Sequence, residues 1–300
     1  MKPPGSEQSA RPEGKLSISF MSLNAVWWKA SLVVLAPFLA AISLFHNSAQ
    51  SVPTPSQKGQ GIQQKTGKQK KAEKETPEDA PMPFHAGEVL NYRVVWGLFS
   101  NAASVQLSVP ERRSLFGWNT WHFRAVAHTA NPVRTIFAID DQFDSYTDTV
   151  TLESRQFEMH LDEIGKKVDR TLHLVPQGQS PRGGVSAVVV LPGTRDPLGA
   201  LYSLRGVDWQ HTPEYRVPVY DGRNLFEMRA HLEVPSEKVT VSSGTSPAAR
   251  VAVRIFQYGK EVTGTSLMVW LAQDAAHTPV LMEAEIPLGS FRVELTSALP

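Results

Sequence analysis

The chain has no cysteine among its 300 residues. Disulfides, zinc–thiolate centres, cysteine nucleophiles and lipid attachment through a lipobox cysteine are therefore excluded. It also lacks a charge imbalance, with 30 Lys and Arg against 29 Asp and Glu. The first 83 residues hold ten of the basic and six of the acidic side chains, which leaves 20 against 23 in the remainder. That body is mildly acidic, so a nucleic-acid partner, which needs a basic footprint, is disfavoured. The local signatures of catalysis are missing too. There is no Gly-x-Ser-x-Gly elbow, Ser-x-x-Lys, His-Glu-x-x-His, phosphate-binding loop or dinucleotide fingerprint. Motif absence does not exclude a triad assembled from distant strands, but an enzyme is disfavoured and no cofactor is expected.

Long apolar runs are scarce. One stands out, Ala30 to Phe45, sixteen residues without a charge, introduced by Trp27-Trp28-Lys29. A bilayer span needs roughly 20 apolar residues and a signal-peptide core about 7 to 15, so the run reads as a signal peptide or a signal-anchor. Trp27 and Trp28 suit the lipid interface. Met21 offers an alternative start, since MSLNAVWWK before the apolar run has secretory proportions, and cleavage fits after Ala49 with Asn47 two residues earlier. Lys15 and Lys29 precede the run while Lys58 follows, so a head-in, body-out orientation rests on a narrow charge vote. The expected location is the periplasm of a Gram-negative bacterium, either secreted or anchored in the inner membrane through residues 27–45.

Four segments follow: a head at 1–29, the apolar segment at 30–45, a linker at 46–83 and a body at 84–300. The linker is rich in Gln, Lys, Ser, Pro and Glu without apolar periodicity, so it cannot offset its ordering entropy and reads as a disordered tether. In the body the period is two. Leu90, Tyr92, Val94 and Trp96 alternate with Asn91 and Arg93; Phe226, Met228, Ala230 and Leu232 alternate with Glu227, Arg229 and His231. Such alternation marks antiparallel strands with one buried and one wet face. About a dozen strands predict an all-β fold, a curved sheet, half-barrel or barrel.

One insertion breaks that rhythm. Within DPLGALYSLRG, Asp196 can cap a helix, Pro197 fits the first turn and Gly206 fits the end. Leu198, Leu201, Tyr202 and Arg205 then share one face, predicting a short helix that plugs the sheet. Arg205 lies on that face and must reach a carboxylate or solvent.

The opening FHAGEVLNYRVVWG at 84–97, DQFDSYTD at 141–148, the Asp-Pro-Leu-Gly-Ala-Leu-Tyr-Ser-Leu-Arg helix, Asp221-Gly222 and the closing VWLAQDAAHTPVLMEAEIPLGSFRVEL together resemble a family of exported Gram-negative bacterial proteins known as a domain of unknown function. The resemblance covers 84 to 300 and implies an exported, mostly β domain without catalytic residues to carry over. A looser kinship of fold links the chain to periplasmic lipoprotein carriers, whose half-barrel cups an acyl chain around a plugging helix; function does not follow from fold.

Candidate site residues fall into two groups. Tyr92, Trp96, Trp121, Phe123, Phe226 and Met228 on strand faces, with Leu201 and Tyr202 on the helix, either fill a core or line a ligand pocket. Asp144 and Asp148 are expected to cap turns and to brace Arg205. A metal site is not expected: Asp140, Asp144 and Asp148 spread about 13 to 26 Å along one strand, and the nine histidines fall on wet positions. Three functions follow: an envelope protein binding a lipid or acyl chain, an envelope scaffold pairing with a protein partner, or a hydrolase using Asp144, Asp148 or Asp274. The first is favoured.

Overall fold

The computed structural model describes residues 82–287 and 289–299. The head, the apolar segment and residues 46–81 of the linker lie outside the described residues. The strands are β1 Val89–Trp96, β2 Phe99–Leu115, β3 Trp118–Thr129, β4 Asp140–Asp148, β5 Ser154–Glu163, β6 Lys166–Pro176 and β7 Val188–Val190. After helix α1, Pro197–Arg205, come β8 Tyr215–Tyr220, β9 Leu225–Val241, β10 Gly244–Gln257, β11 Lys260–Glu261, β12 Ser266–Ala272, β13 Pro279–Ile286 and β14 Gly289–Leu299.

Among the described residues the fold is all-β around one α-helix, as the alternation and the DPLG insertion predict. The sheet has 14 strands in the order β7-β6-β5-β4-β3-β2-β1-β14-β13-β12-β10-β9-β8, with β11 beside β10. Neighbouring strands mostly follow one another in sequence because two-residue turns join them. Ile164-Gly165 and Tyr258-Gly259 both adopt positive φ at their two central positions, 50° and 78° in the first and 51° and 77° in the second. Turns of that hand match the twist of the flanking strands, which is why a glycine stands second in each.

β1 pairs with β14 from Val89↔Leu299 to Trp96↔Phe291 and so ties the start of the body to its end. The remaining gap, between β5 and β8, is closed by a short segment. Ser154 N donates to Thr194 O at 3.0 Å, Arg195 N to Pro218 O at 2.9 Å, and Tyr220 N to Arg195 O at 2.9 Å. A nearly closed barrel results.

α1 begins where the sequence places it. Asp196 Oδ1 accepts from Gly199 N at 2.9 Å, Pro197 occupies the first turn, and Gly206 follows the end. The expectation of one apolar face needs correction, because all nine helical residues are buried. The helix packs on β3, β4 and β8 inside the barrel, so each of its faces meets a wall. Gly199 makes that approach possible: a Cβ there would lie 2.9 Å from Thr147 Cγ2. Tyr202 stacks on Phe123 with ring centroids 3.9 Å apart, and Phe84 sets its ring edge-on to Trp121, Phe123 and Tyr202 at 5.2, 5.1 and 5.5 Å.

Candidate functional site: an open cleft beside the end of helix α1

Because α1 occupies the barrel, the large open space lies at its C-terminal end. A solvent-open cleft of about 740 Å³ is bounded there by Met82 and Pro83, by residues 205–210, by the irregular middle of β9 and by the β12–β13 loop. Met82, Pro83, Val207, Trp209, Leu232 and Leu271 form an apolar wall, while Asp208, Gln210, Ser236, Gln273, Asp274 and His277 supply a polar rim.

Helix termini leave carbonyls without intrahelical partners. Here two side chains satisfy them: Trp209 Nε1 donates to Leu204 O at 3.0 Å, and His277 Nδ1 donates to Arg205 O at 2.6 Å. These bonds fix the floor of the cleft. Arg205 is nearly inaccessible, at 1% exposure, and is fully engaged. Its Nη1 and Nη2 donate to Glu88 Oε1 and Oε2 at 2.6 and 2.7 Å, and Nε and Nη2 donate to Ala276 O at 3.1 and 2.9 Å. Burial opposes its charge, yet the bonds to and the charge of Glu88 prevail and raise its pKa. Burial likewise pushes the Tyr92 and Tyr202 hydroxyls up, so both stay neutral.

The partner of Arg205 differs from the expectation. Asp144 and Asp148 do not brace it; Glu88 does, because β1 runs beside the helix end while β4 presents those aspartates elsewhere. Asp144 accepts from His122 Nε2 at 2.6 Å, Arg124 Nε at 2.7 Å and Gln142 Nε2 at 2.6 Å. Burial works against its charge, but those donors hold the carboxyl down at about 2. Asp148 Oδ1 accepts from Val150 N and Thr151 N at 3.1 and 3.0 Å, and Oδ2 meets Arg155 Nη2 at 3.2 Å. Glu88 carries no periodic signature because it stands in a glycine turn before the first strand; the need of Arg205 for a buried acid is the signal that points to it.

The aromatic set sits apart from the cleft. Tyr92, Trp121, Phe123, Phe226, Met228, Leu201 and Tyr202 all belong to the packed core. Trp96 is half-buried and stacks on Phe291 at 5.5 Å. None of the eight borders the cleft; Leu232, Leu271 and Trp209 do instead. The physical reason is the helix, which fills the lumen those rings would otherwise line.

The histidine expectation also needs correction. His122, though on the outward face of β3, is buried, stacked on Tyr146 with centroids 4.5 Å apart. Adjacent strands, moreover, gather Asp144, Glu158 and His160 so that one ligand atom of each lies within 4.8 Å of the others. The strand pairing thus brings together three potential ligands that are spread along the sequence. Their oxygens already have partners, however: the three donors on Asp144 and the Gln156 amide on Glu158. A cation there would compete with the Arg124 guanidinium.

Asp274 accepts from Thr278 N and Oγ1 at 3.0 and 2.8 Å. Asp208 is held by His211 at 2.7 Å, which keeps its carboxyl below the usual range. Asp144 and Asp148 lie on β4 and do not border the cleft that Asp274 lines.

The class defined by this fold and site is a helix-filled β-barrel with an amphipathic cleft at one end. Within it, the chain belongs to the DUF3108 family, a protein family of unknown function whose profile matches residues 91–296. No curated protein matches the chain. Among solved structures it is similar to a β-barrel-like protein of the DUF1849 domain from Brucella abortus, at 11% identity over 71% of this chain and 96% of that one, TM-score 0.46. It is also similar to a provisionally described lipoprotein from Parabacteroides distasonis, at 12% identity over 73% and 97%, TM-score 0.35. A third similar structure is a provisionally described exported protein with a YmcC-like fold from Bacteroides fragilis, at 9% identity over 73% and 98%, TM-score 0.31.

Proposed function

We propose that the protein is an exported envelope protein of the periplasm that binds an amphipathic ligand, a lipid or acyl chain with an uncharged polar head, without catalysing a reaction. The observation that carries this reading is the cleft of about 740 Å³ with its apolar wall and polar rim. Sites for small ligands usually measure about 300 to 1,000 Å³ and combine an apolar lining with a few polar groups. An uncharged head fits because the charged groups at the rim already have partners: Arg205 pairs with Glu88, Asp208 with His211, and Asp274 accepts two hydrogen bonds from Thr278. Export is supported by the apolar segment at 30–45 and by the absence of cysteine.

Native mass spectrometry of the full chain exported from a Gram-negative host, followed by organic extraction, tests the reading. The expected result is a lipid at fixed stoichiometry, displaced by a fluorescent monoacylglycerol and lost on Leu232→Glu. A bare protein mass with no monoacylglycerol uptake overturns it. A second reading, an envelope scaffold that adds a partner strand, is favoured by β7 at the end of the sheet, where Val189 is 64% exposed. Capture of an envelope protein lost on Val189→Lys would support it.

A further inference from the structure

We propose that the protein carries a second site, away from the cleft, that binds an oxyanion of carboxylate or phosphate type beside Trp118. The walls come from the start of β3, the start of β5, the end of β6 and the 177–187 loop. Arg155 on β5 is 6% exposed. Its Nη2 is held by Asp148 Oδ2 at 3.2 Å and Glu153 Oε2 at 3.1 Å, but its buried Nε and Nη1 have no acceptor. A buried donor left unmet is costly, and native interiors rarely tolerate it without a ligand, ion or water.

Three further observations point to an anion. The guanidinium carbons of Arg155 and Arg182 lie 3.9 and 4.0 Å from the centroid of the Trp118 ring, so one indole contacts two cations, and both of them line this pocket. His173 contributes another buried nitrogen, Nδ1, without a partner. No aspartate or glutamate lines the pocket, so the unmet polar groups are donors or a titratable ring nitrogen. Asp148 and Glu153 do not supply the missing acceptor. Their second oxygens are occupied by Val150 N and Thr151 N, and by Gly193 N at 2.7 Å.

The pocket holds about 30 Å³. One water needs about 10 to 15 Å³ by the same measure, so a carboxylate or part of a phosphate fits and a large ligand does not. The loop carrying Arg182 is shaped for this approach. Gly183 has φ +73°, and a Cβ there would stand 2.6 Å from Phe116 Cδ1, so the loop lies close over the ring that also meets His173 edge-on at 5.2 Å. Charge-assisted hydrogen bonds from arginine to an oxyanion are among the strong ones in proteins.

The test is titration of the full-length protein with inorganic phosphate and with acetate, followed through the indole N–H resonance of Trp118. Saturable shifts are expected with at least one anion, weakened about tenfold by Arg182→Gln, an exposed position whose loss leaves the fold intact. Arg155→Lys keeps the charge but removes both unmet donors, and is expected to weaken binding at least as much. Co-flotation with phosphatidylglycerol vesicles, competed by free phosphate, would assign the anion to a lipid headgroup; saturable binding without flotation would assign it to a free anion. If the wild type shows no saturable shift with either anion, or Arg182→Gln binds as the wild type does, the proposal fails.

Discussion

Arg205 and Glu88 stand 117 residues apart and meet through two parallel hydrogen bonds of 2.6 and 2.7 Å. This pair fastens the C-terminal end of α1 to the turn before β1, and with it the floor of the cleft. Removing one partner of a buried pair strands the other charge and costs about 3 to 5 kcal/mol. Glu88→Gln is therefore expected to lower the urea-denaturation free energy by about that amount. A loss under about 1 kcal/mol would mean that solvent reaches Arg205. A matched apolar replacement of both residues should recover much of the loss.

Phe84 is 3% exposed and meets three aromatic rings edge-on, so it seals the barrel beneath the cleft. Truncation to alanine leaves a cavity that these rings cannot collapse into. Phe84→Ala should cost about 3 to 5 kcal/mol, read from chemical denaturation. Phe84→Leu, which keeps most of the volume, should cost less.

Asp196 both caps α1 and receives the hydroxyls of Ser145 and Ser154, each at 2.5 Å. Asp196→Ala removes the cap, worth about 1 kcal/mol, and leaves two buried hydroxyl donors without their acceptor, at about 1 kcal/mol or more each. Ser154→Ala alone should cost less, because the cap survives. Equal melting temperatures for the two variants would contradict this ordering.

Two buried carboxyls on β4 should pull stability in opposite directions with pH. The folded pKa of Asp144, held down at about 2, lies below its unfolded value. Its contribution of about 2 kcal/mol is present above pH 4 and fades as the pH falls towards 2. The penalty for Asp144→Asn should therefore shrink between pH 7 and pH 3. Asp141 is raised, by burial first and by the nearby Glu163 charge second. A raised carboxyl gives stability that is complete below the unfolded pKa and lost as the pH rises through the folded one. Asp141→Asn should accordingly stabilise the protein more at pH 8 than at pH 5, as read by thermal unfolding.

Much of the architecture was legible in the residues. Leu90, Tyr92 and Val94, and Phe226, Met228 and Ala230, alternate as the buried faces of β1 and β9 do. DPLG marked the start of α1 because a carboxylate followed by proline suits free N–H groups, and the order of motifs pointed to the family. What the residues did not show was how the sheet curls. Alternation says which side chains share a face, not which element covers that face.

The sequence by itself determined the strands, the helix boundaries, the lack of thiol chemistry and the near-balance of charge, since each depends on neighbours within a few residues. Tertiary structure alone decided that the helix fills the barrel, which made core of Tyr92, Trp121, Phe123 and Tyr202 and moved the open space to the helix end. It also chose Glu88 over Asp144 and Asp148 as the partner of Arg205, buried His122, and gathered Arg155, Arg182 and His173 around one pocket. Those outcomes depend on strand order, register and the closure of the barrel through residues 193–195, and such long-range relations leave no periodic trace along the chain.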